Sequence, residues 1–354
     1  MASLPATARL LLFVVVTSLT ALLLSACSAD SSEEDATAAA DAEDSEQTTS
    51  EPSSSEEGEA AAAATRTIEH ALGTAEVPAD PQRVVDMGNV FHFEVAQIVG
   101  LTDRIIATTG DVPQTYDYVE FPDDLLDIGV QEYDLEAIAA ADPDLIIGLD
   151  VRIGDLYDQL EQIAPTVAVG FETSADFLAT GRAYADALGG EDAVAAYDTA
   201  VEDYLDRATG IGERIQAGDA PDVAIMRAST EFQRYELPGI FSGKILYEDV
   251  SLPVPEGLQE AAEAGEATLA FSDEQLGSIA DPDHLFVYQG VGVDAVQQSQ
   301  ATIETLSENP LWDSLTAVQE DQVYSVGGHF FSGGVLAANL VLDDLERFVL
   351  SEQG

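Results

Sequence analysis

Residues 191–217 read EDAVAAYDTAVEDYLDRATGIGERIQA. Val194, Tyr197, Val201, Tyr204, Leu205, Ala208, Ile211 and Ile215 recur at steps of three and four, which stacks them on one helical face. Acids crowd the other positions. Gly189-Gly190 precedes the run, and Gly218-Asp219-Ala220-Pro221 stops it. At 1.5 Å per residue the helix spans roughly 40 Å, longer than an ordinary globular helix. Gly210 and Gly212 oppose it, each costing about 1 kcal/mol against alanine in a helix interior. The run divides the folded chain into two parts of similar size. A stiff rod between two α/β units is the organisation this predicts; an amphipathic helix within a single large domain would show the same periodicity.

Working back from the rod, residues 83–87 predict a strand, followed by Gly88-Asn89 and a helix over 91–99. Residues 104–108 predict the next strand, and 110–122 an irregular stretch rich in turn formers and aromatics. A helix over 135–141, broken by Asp142-Pro143, feeds an apolar strand at 145–147; a helix over 157–163 and a strand at 166–169 complete the half. Apolar strands alternating with helices, without hairpin turns, imply a parallel sheet covered on both faces. Beyond the rod the pattern restarts: a strand at 223–226, an extended piece at 233–235 and a helix over 243–250. A helix over 274–279, strands at 285–288 and 323–326 and a closing helix over 335–350 follow. The fold class is therefore α/β, with two parallel-type sheets joined by one long α-helix.

The chain has 354 residues, 46 % of them apolar, enough for one large or two medium cores. Residues 1–27 read as an export signal: Arg9, an apolar run over 10–24, then Leu24-Ser25-Ala26-Cys27. That run is too short for a comfortable membrane span. Small residues ahead of Cys27 resemble the bacterial lipobox, in which the cysteine is acylated and becomes the new N-terminus. Cys27 is the chain's only cysteine, so no intrachain disulfide forms. The mature protein is expected outside the cytoplasm, lipid-anchored to the cell membrane rather than spanning it. Residues 28–65, rich in Ser, Glu, Asp and Ala, cannot bury enough apolar surface to offset chain entropy and read as a disordered acidic leash. The expected division is then 66–190 for the N-terminal lobe, 191–217 for the interlobe helix and 218–354 for the C-terminal lobe.

The balance of charge is extreme: 12 Lys and Arg against 67 Asp and Glu, a formal −55, with Lys244 the only lysine. Repulsion excludes nucleic acid as a partner. Such an excess suits a halophilic acidic protein, since the Debye length falls from about 10 Å at 0.1 M salt to about 3 Å at 1 M. The two halves also repeat a pattern. Glu136 precedes Asp142-Pro143-Asp144 and its strand, and Glu274 precedes Asp281-Pro282-Asp283 and its strand. Each glutamate falls in the first turn of a short predicted helix, a place the dipole favours for any acid.

PADPQRVVDMG at 78–88, YDLEAIAAADPDLIIG at 133–148 and YDQLEQIAPTV at 157–167 resemble the ferric-siderophore, haem and cobalamin import family. So do FQRYELPGIFSGKILYEDVSLPVPEG at 232–257, FSDEQLGSIADPD at 271–283 and NPLWDSLTAVQEDQVYSV at 309–326. These are substrate-binding lipoproteins of ABC importers. Single motifs are loose; their order and spacing over 78–350 carry the likeness. The resemblance implies two Rossmann-like lobes with little hinge bending, a ferric siderophore in the cleft between them, no resident cofactor and a monomer docking on a permease. It places Arg234 as an arginine directed at the ligand, with Arg227 a second candidate, and Glu136 and Glu274 as the carboxylates that dock on the permease. A Trp or Tyr is expected to face the cleft where this chain has Gly328-His329-Phe330-Phe331.

Ligands of open α/β lobes sit beyond the carboxyl ends of strands. Loops so placed hold Asn89, His92, Tyr116, Arg152, Arg227, Arg234, Tyr235, His329 and Phe330, the expected ligand contacts. Guanidinium forks and aromatic faces suit a bulky, oxygen-rimmed complex. An arginine pairing with one of the many local acids would look the same in sequence. His70, His92, His284 and His329 have no short ligand spacing, and neither CxxC nor HExxH occurs, so no direct metal site is expected. Residues 239–245, GIFSGKI, fall short of a P-loop, and Ser332 lacks the glycine of a nucleophile elbow, so no enzymatic activity is expected. A haem or cobalamin binder of the same architecture and a cell-surface hydrolase remain as alternatives.

The charge excess predicts that thermal stability rises steeply between about 0.1 and 1 M NaCl, as screening relieves self-repulsion. Melting curves at several NaCl concentrations measure this, and a flat melting temperature would refute it.

Overall fold

Short apolar runs become the strands of two five-stranded sheets in the computed structural model, which describes residues 64–350 apart from 89, 111–112, 114–115, 131, 172–175, 219, 230–231 and 293. The export signal, Cys27, most of the acidic leash and Asn89 lie outside the described residues. Among the described residues no helix is long and apolar enough to cross a membrane. The chain enters through a hairpin that the sequence did not announce, β1 (Thr65–His70) and β2 (Gly73–Pro78), whose alternate residues Ile68, Ala75 and Val77 are buried.

The first sheet comprises β3 (Val84–Met87), β4 (Ile105–Thr108), β5 (Leu126–Asp127), β6 (Leu145–Leu149) and β7 (Thr166–Val169), in the order β5-β4-β3-β6-β7. Every pairing is parallel, as the alternation of strands with α1 (Val90–Ile98) and α2 (Leu135–Ala140) predicts. Then comes α3 (Phe177–Gln216), the 40-residue helix that links the sheets. It starts earlier than the periodicity indicates and leaves helical geometry at Gly190 (φ 65°, ψ −152°), where a left-handed φ suits a residue without Cβ. The N-terminal hairpin ties down that break: Arg66 donates to the Ala187 carbonyl at 2.6 Å and pairs with Asp186 at 3.3 Å. Beyond the kink Tyr197, Tyr204, Ala208, Ile211 and Ile215 are buried, while Val194, Val201 and Leu205 are half-buried. Gly212 has a packing role, since a Cβ there would lie 2.0 Å from the Val250 carbonyl oxygen.

The second sheet departs from the expected parallel type. It comprises β8 (Val223–Ala228), β9 (Gln233–Glu236), β10 (Thr268–Phe271), β11 (His284–Tyr288) and β12 (Val323–Ser325), in the order β10-β9-β8-β11-β12. β8, β11 and β12 are parallel, but β9 runs antiparallel to both β8 and β10. Only residues 229–232 join β8 to β9, and a parallel crossover needs a dozen or more. The helix expected over 274–279 is a single 3-10 turn, Asp273–Gln275, which ends before Gly277 (φ 76°). An unanticipated helix, α4 (Ala295–Leu306), precedes β12, and α5 (Val335–Leu345) follows it.

One hydrophobic core runs from Ile147 and Leu149 of the first sheet, through Tyr184, Tyr204 and Ile211 of α3 and Val341 and Leu345 of α5, to Ile225 and Phe286 of the second. The opposite face of each sheet has its own cluster, around Val85, Met87 and Ile146 in one and Ala224, Met226 and Leu285 in the other. The continuous core is pinned by a buried carboxylate. Glu94, on α1, accepts from the Leu336 and Ala337 amides (3.1 Å each), from Ser332 Oγ (2.8 Å) and from the Tyr118 hydroxyl (3.2 Å). It thereby caps the first turn of α5, whose amides lack helical partners. Burial raises the Glu94 pKa, opposed by these hydrogen bonds. Gly334 makes the approach available: a Cβ there would sit 2.2 Å from Glu94 Oε2.

Glu94→Ala leaves four donors without their acceptor and should cost about 3–5 kcal/mol, since each donor that stays buried and unsatisfied loses about 1–3 kcal/mol. Urea unfolding measures it; a loss below about 1 kcal/mol would show that α5 is not held by this carboxylate.

Candidate functional site

β8 and β9 place two arginines face to face. Arg227 is the direct ladder partner of Arg234, and like charges opposite one another destabilise a sheet. Aromatic rings flank both: the Arg227 guanidinium lies 4.1 Å from the centre of Phe331, and that of Arg234 lies 4.5 Å from the centre of Phe232. Both Nε atoms are buried without a hydrogen-bond partner. Behind them Glu236 is about 1 % exposed and accepts from the Tyr288 hydroxyl, while its Oε2 has no partner. Burial pushes the Glu236 carboxyl up to about 7, against the opposing influence of Tyr288, Arg227 and Arg234.

The disposition of the remaining cations gives this pair its meaning. Arg66, Arg104, Arg182, Arg207, Arg214 and Lys244 each pair with a carboxylate. Arg83 donates to the Ala141 and Asp142 carbonyls. Arg227, Arg234 and Arg152 have no carboxylate within 4.0 Å among the described residues. Arg152 is half-buried on the turn Asp150–Ile153, directly beyond the carboxyl end of β6. In so acidic a chain, arginines without local acids are available to an anion brought from outside.

The lobes approach each other beside this pair. Half-buried Tyr116, beyond β4, lies against Gly328, and Tyr118 lies edge-on to His329 at 6.5 Å. An aromatic run crosses from the second lobe to α3: Phe331 to Phe241 (4.4 Å), Phe241 to Phe177 (6.1 Å) and Phe177 to Phe171 (5.3 Å). Phe241 has φ 37°, a left-handed conformation uncommon for a bulky residue.

Three expected contacts are placed in the interior instead. Tyr235 is fully buried and stacks on Phe271 at 4.9 Å, because strand alternation turns it to the opposite face from Arg234. Phe330 is fully buried against Phe286; the half-buried neighbour that meets Arg227 is Phe331, one residue further on. His92 is fully buried, its Nδ1 2.7 Å from Asp86 Oδ1 and its ring stacked on Tyr184 at 4.1 Å. Gly88 makes room for it, since a Cβ there would overlap the imidazole. His329 is partly buried with Nε2 3.0 Å from Asp344. Phe232, Phe241, Phe331 and Glu236 were missing from the expected set, although Phe232 two residues before Arg234 was a usable signal.

Glu136 and Glu274 are both exposed, one in the first turn of α2 behind the Asp134 cap and the other in the turn Asp273–Gln275 with its Ser272–Gln275 capping box. A groove of about 720 Å³ lies beside Glu274, lined by Phe232, Gln233, Phe271, Thr302 and Asn309 among others. It shares Phe232 with the arginine pair but neither arginine lines it, so charge rather than volume marks the site. Among the described residues no group of three or more His, Cys, Asp or Glu side chains is disposed to hold a metal.

A family model for periplasmic binding proteins matches residues 91–328. The chain is 29 % identical over 298 residues to a "Probable siderophore-binding lipoprotein" of Bacillus subtilis (strain 168), covering 81 % of this chain and 88 % of that one. It is 30 % identical over 220 residues to an achromobactin-binding periplasmic protein of Dickeya dadantii (strain 3937), covering 60 % and 68 % respectively. Among solved structures, Staphylococcus aureus SirA complexed with staphyloferrin B superposes with a TM-score of 0.64 at 24 % identity, over 81 % of this chain and 99 % of that one. That likeness concerns the fold.

Proposed function

We propose, from the premise that this chain belongs to the periplasmic binding protein family, that it captures a ferric siderophore in the cleft between its lobes and delivers it unchanged to an ABC importer. The observation that carries this is the opposed pair Arg227 and Arg234, without carboxylate partners among the described residues and flanked by Phe331 and Phe232. Two guanidinium forks on an aromatic floor offer planar, charge-assisted hydrogen bonds to an oxygen-rich anion. Arg152 and Tyr116 would extend the same surface from the first lobe. Relatives named for binding siderophores support the ligand class. Of the histidines on which a haem reading would draw, His92 is fully buried with its ring stacked on Tyr184, and His329 Nε2 is 3.0 Å from Asp344. The protein would act outside the cytoplasm, anchored through Cys27.

Titration in high salt with ferric citrate, ferric enterobactin and a ferric hydroxamate, followed by tyrosine and Trp312 emission, tests this. Binding of at least one at micromolar concentration is expected; a response to haem or cobalamin alone would overturn it. Arg234→Ala should weaken binding by about 1.5–3 kcal/mol through loss of a charge-assisted hydrogen bond. An unchanged Kd would assign Arg234 a structural role.

Glu136 and Glu274 are exposed carboxylates on opposite lobes, and the long helix would hold them at a fixed separation. Two arginine pockets on a permease dimer would engage them bidentately, giving register as well as attraction. Glu136→Arg combined with Glu274→Arg should leave ligand affinity and melting near normal while abolishing transport and ATPase stimulation in the reconstituted importer. Transport by the folded double variant would refute the docking role.

A further inference from the structure

The geometry points to Glu236 as a proton-binding site coupled to ligand capture: it takes a proton from solvent when an anion engages Arg227 and Arg234, and returns it on release. This rests on those arginines holding an anionic ligand. Glu236 and Arg234 lie two apart on β9 and so face the same side, with Arg227 opposite Arg234 on β8. Tyr288 on β11 donates to Oε1. Tyr247, from the helical turn Ile245–Asp249, is the other titratable group close enough to feel this carboxylate, but its hydroxyl donates to the Val223 carbonyl at 3.0 Å. Oε2 is left buried without a donor. Beyond the one Tyr288 bond, only the nearby positive charge of the two arginines supports the ionised form.

A desolvated carboxylate with a bare oxygen is costly, and here the cationic field offsets that cost. With the site empty, burial and the arginines balance so that the carboxyl titrates at about 7. A ligand anion on the guanidinium forks cancels the field and adds a like charge, which raises the carboxyl further. The sign follows: the bound state holds more protons than the free state, so affinity rises as pH falls through about 7. Glu236 thus serves two states. Ionised, it relieves the repulsion between the opposed arginines in the empty site; neutral, it leaves both charges to the ligand.

The test uses the full-length protein in high salt with ferric citrate as probe. Wild type and Glu236→Gln are titrated at pH 6, 7 and 8; glutamine keeps an acceptor for Tyr288. Because ferric citrate itself changes protonation over this range, the result read is the difference between the two proteins. Wild type should tighten from pH 8 to pH 6 by on the order of 3–10-fold more than Glu236→Gln, which should bind more tightly than wild type at pH 8. Calorimetry of the wild type at pH 7 in two buffers of different ionisation enthalpy should show roughly half a proton taken up per ligand beyond that due to ferric citrate, a readout that stands even if the variant folds poorly. Parallel pH profiles, or no such uptake, would overturn the inference while leaving the binding site intact. An unchanged Kd in Arg234→Ala would instead remove the premise, and the inference with it.

Discussion

Glu94 is the side chain on which the relation between the lobes depends. It starts on α1, which packs against α3, and ends in the first turn of α5, which packs against α3 and the turn Gly328–Phe331. Four donors converge on it in a fully buried place. A carboxylate there is tolerated because the α5 amides need an acceptor and water has no access. With the core continuous through α3 and α5, the lobes have no soft plane between them.

The arginine pair is electrostatically unusual. A chain with 67 acids and 12 bases has a carboxylate available for almost every cation, and most described cations have one. Among the described residues Arg227 and Arg234 have none, and they oppose each other across a ladder. The fold tolerates this through aromatic faces over the guanidinium groups and one buried glutamate behind them. The excess of acid elsewhere makes the general surface repel anions, so two adjacent cations without carboxylate partners stand out against it.

Periodicity made the first sheet and the second arm of α3 legible, since alternation of apolar runs with helical faces survives in any context. It marked 233–235 as extended without giving the antiparallel pairing of β9, and it missed β10, which is short, and the hairpin β1–β2, whose apolar residues are sparse. Burial, not pattern, separated the expected contacts. Tyr235 follows Arg234 directly and must therefore face the other way. In the tight turn Gly328–Phe331 adjacent side chains diverge, so Phe330 packs on Phe286 while Phe331 meets Arg227.

The sequence by itself determined the α/β class, the arm of the long linking helix that follows Gly190, and the family through the order of its motifs. It also determined which arginines deserved attention, because they fall beyond strand ends. Tertiary structure alone decided that Arg227 and Arg234 oppose each other, that His92 is held by Asp86, and that Glu94 reaches 242 and 243 residues along the chain to cap α5. The physical reason is range. Periodicity and turn chemistry are local and leave traces in neighbouring residues, whereas charge pairing and desolvation depend on which distant groups the fold brings within a few ångströms.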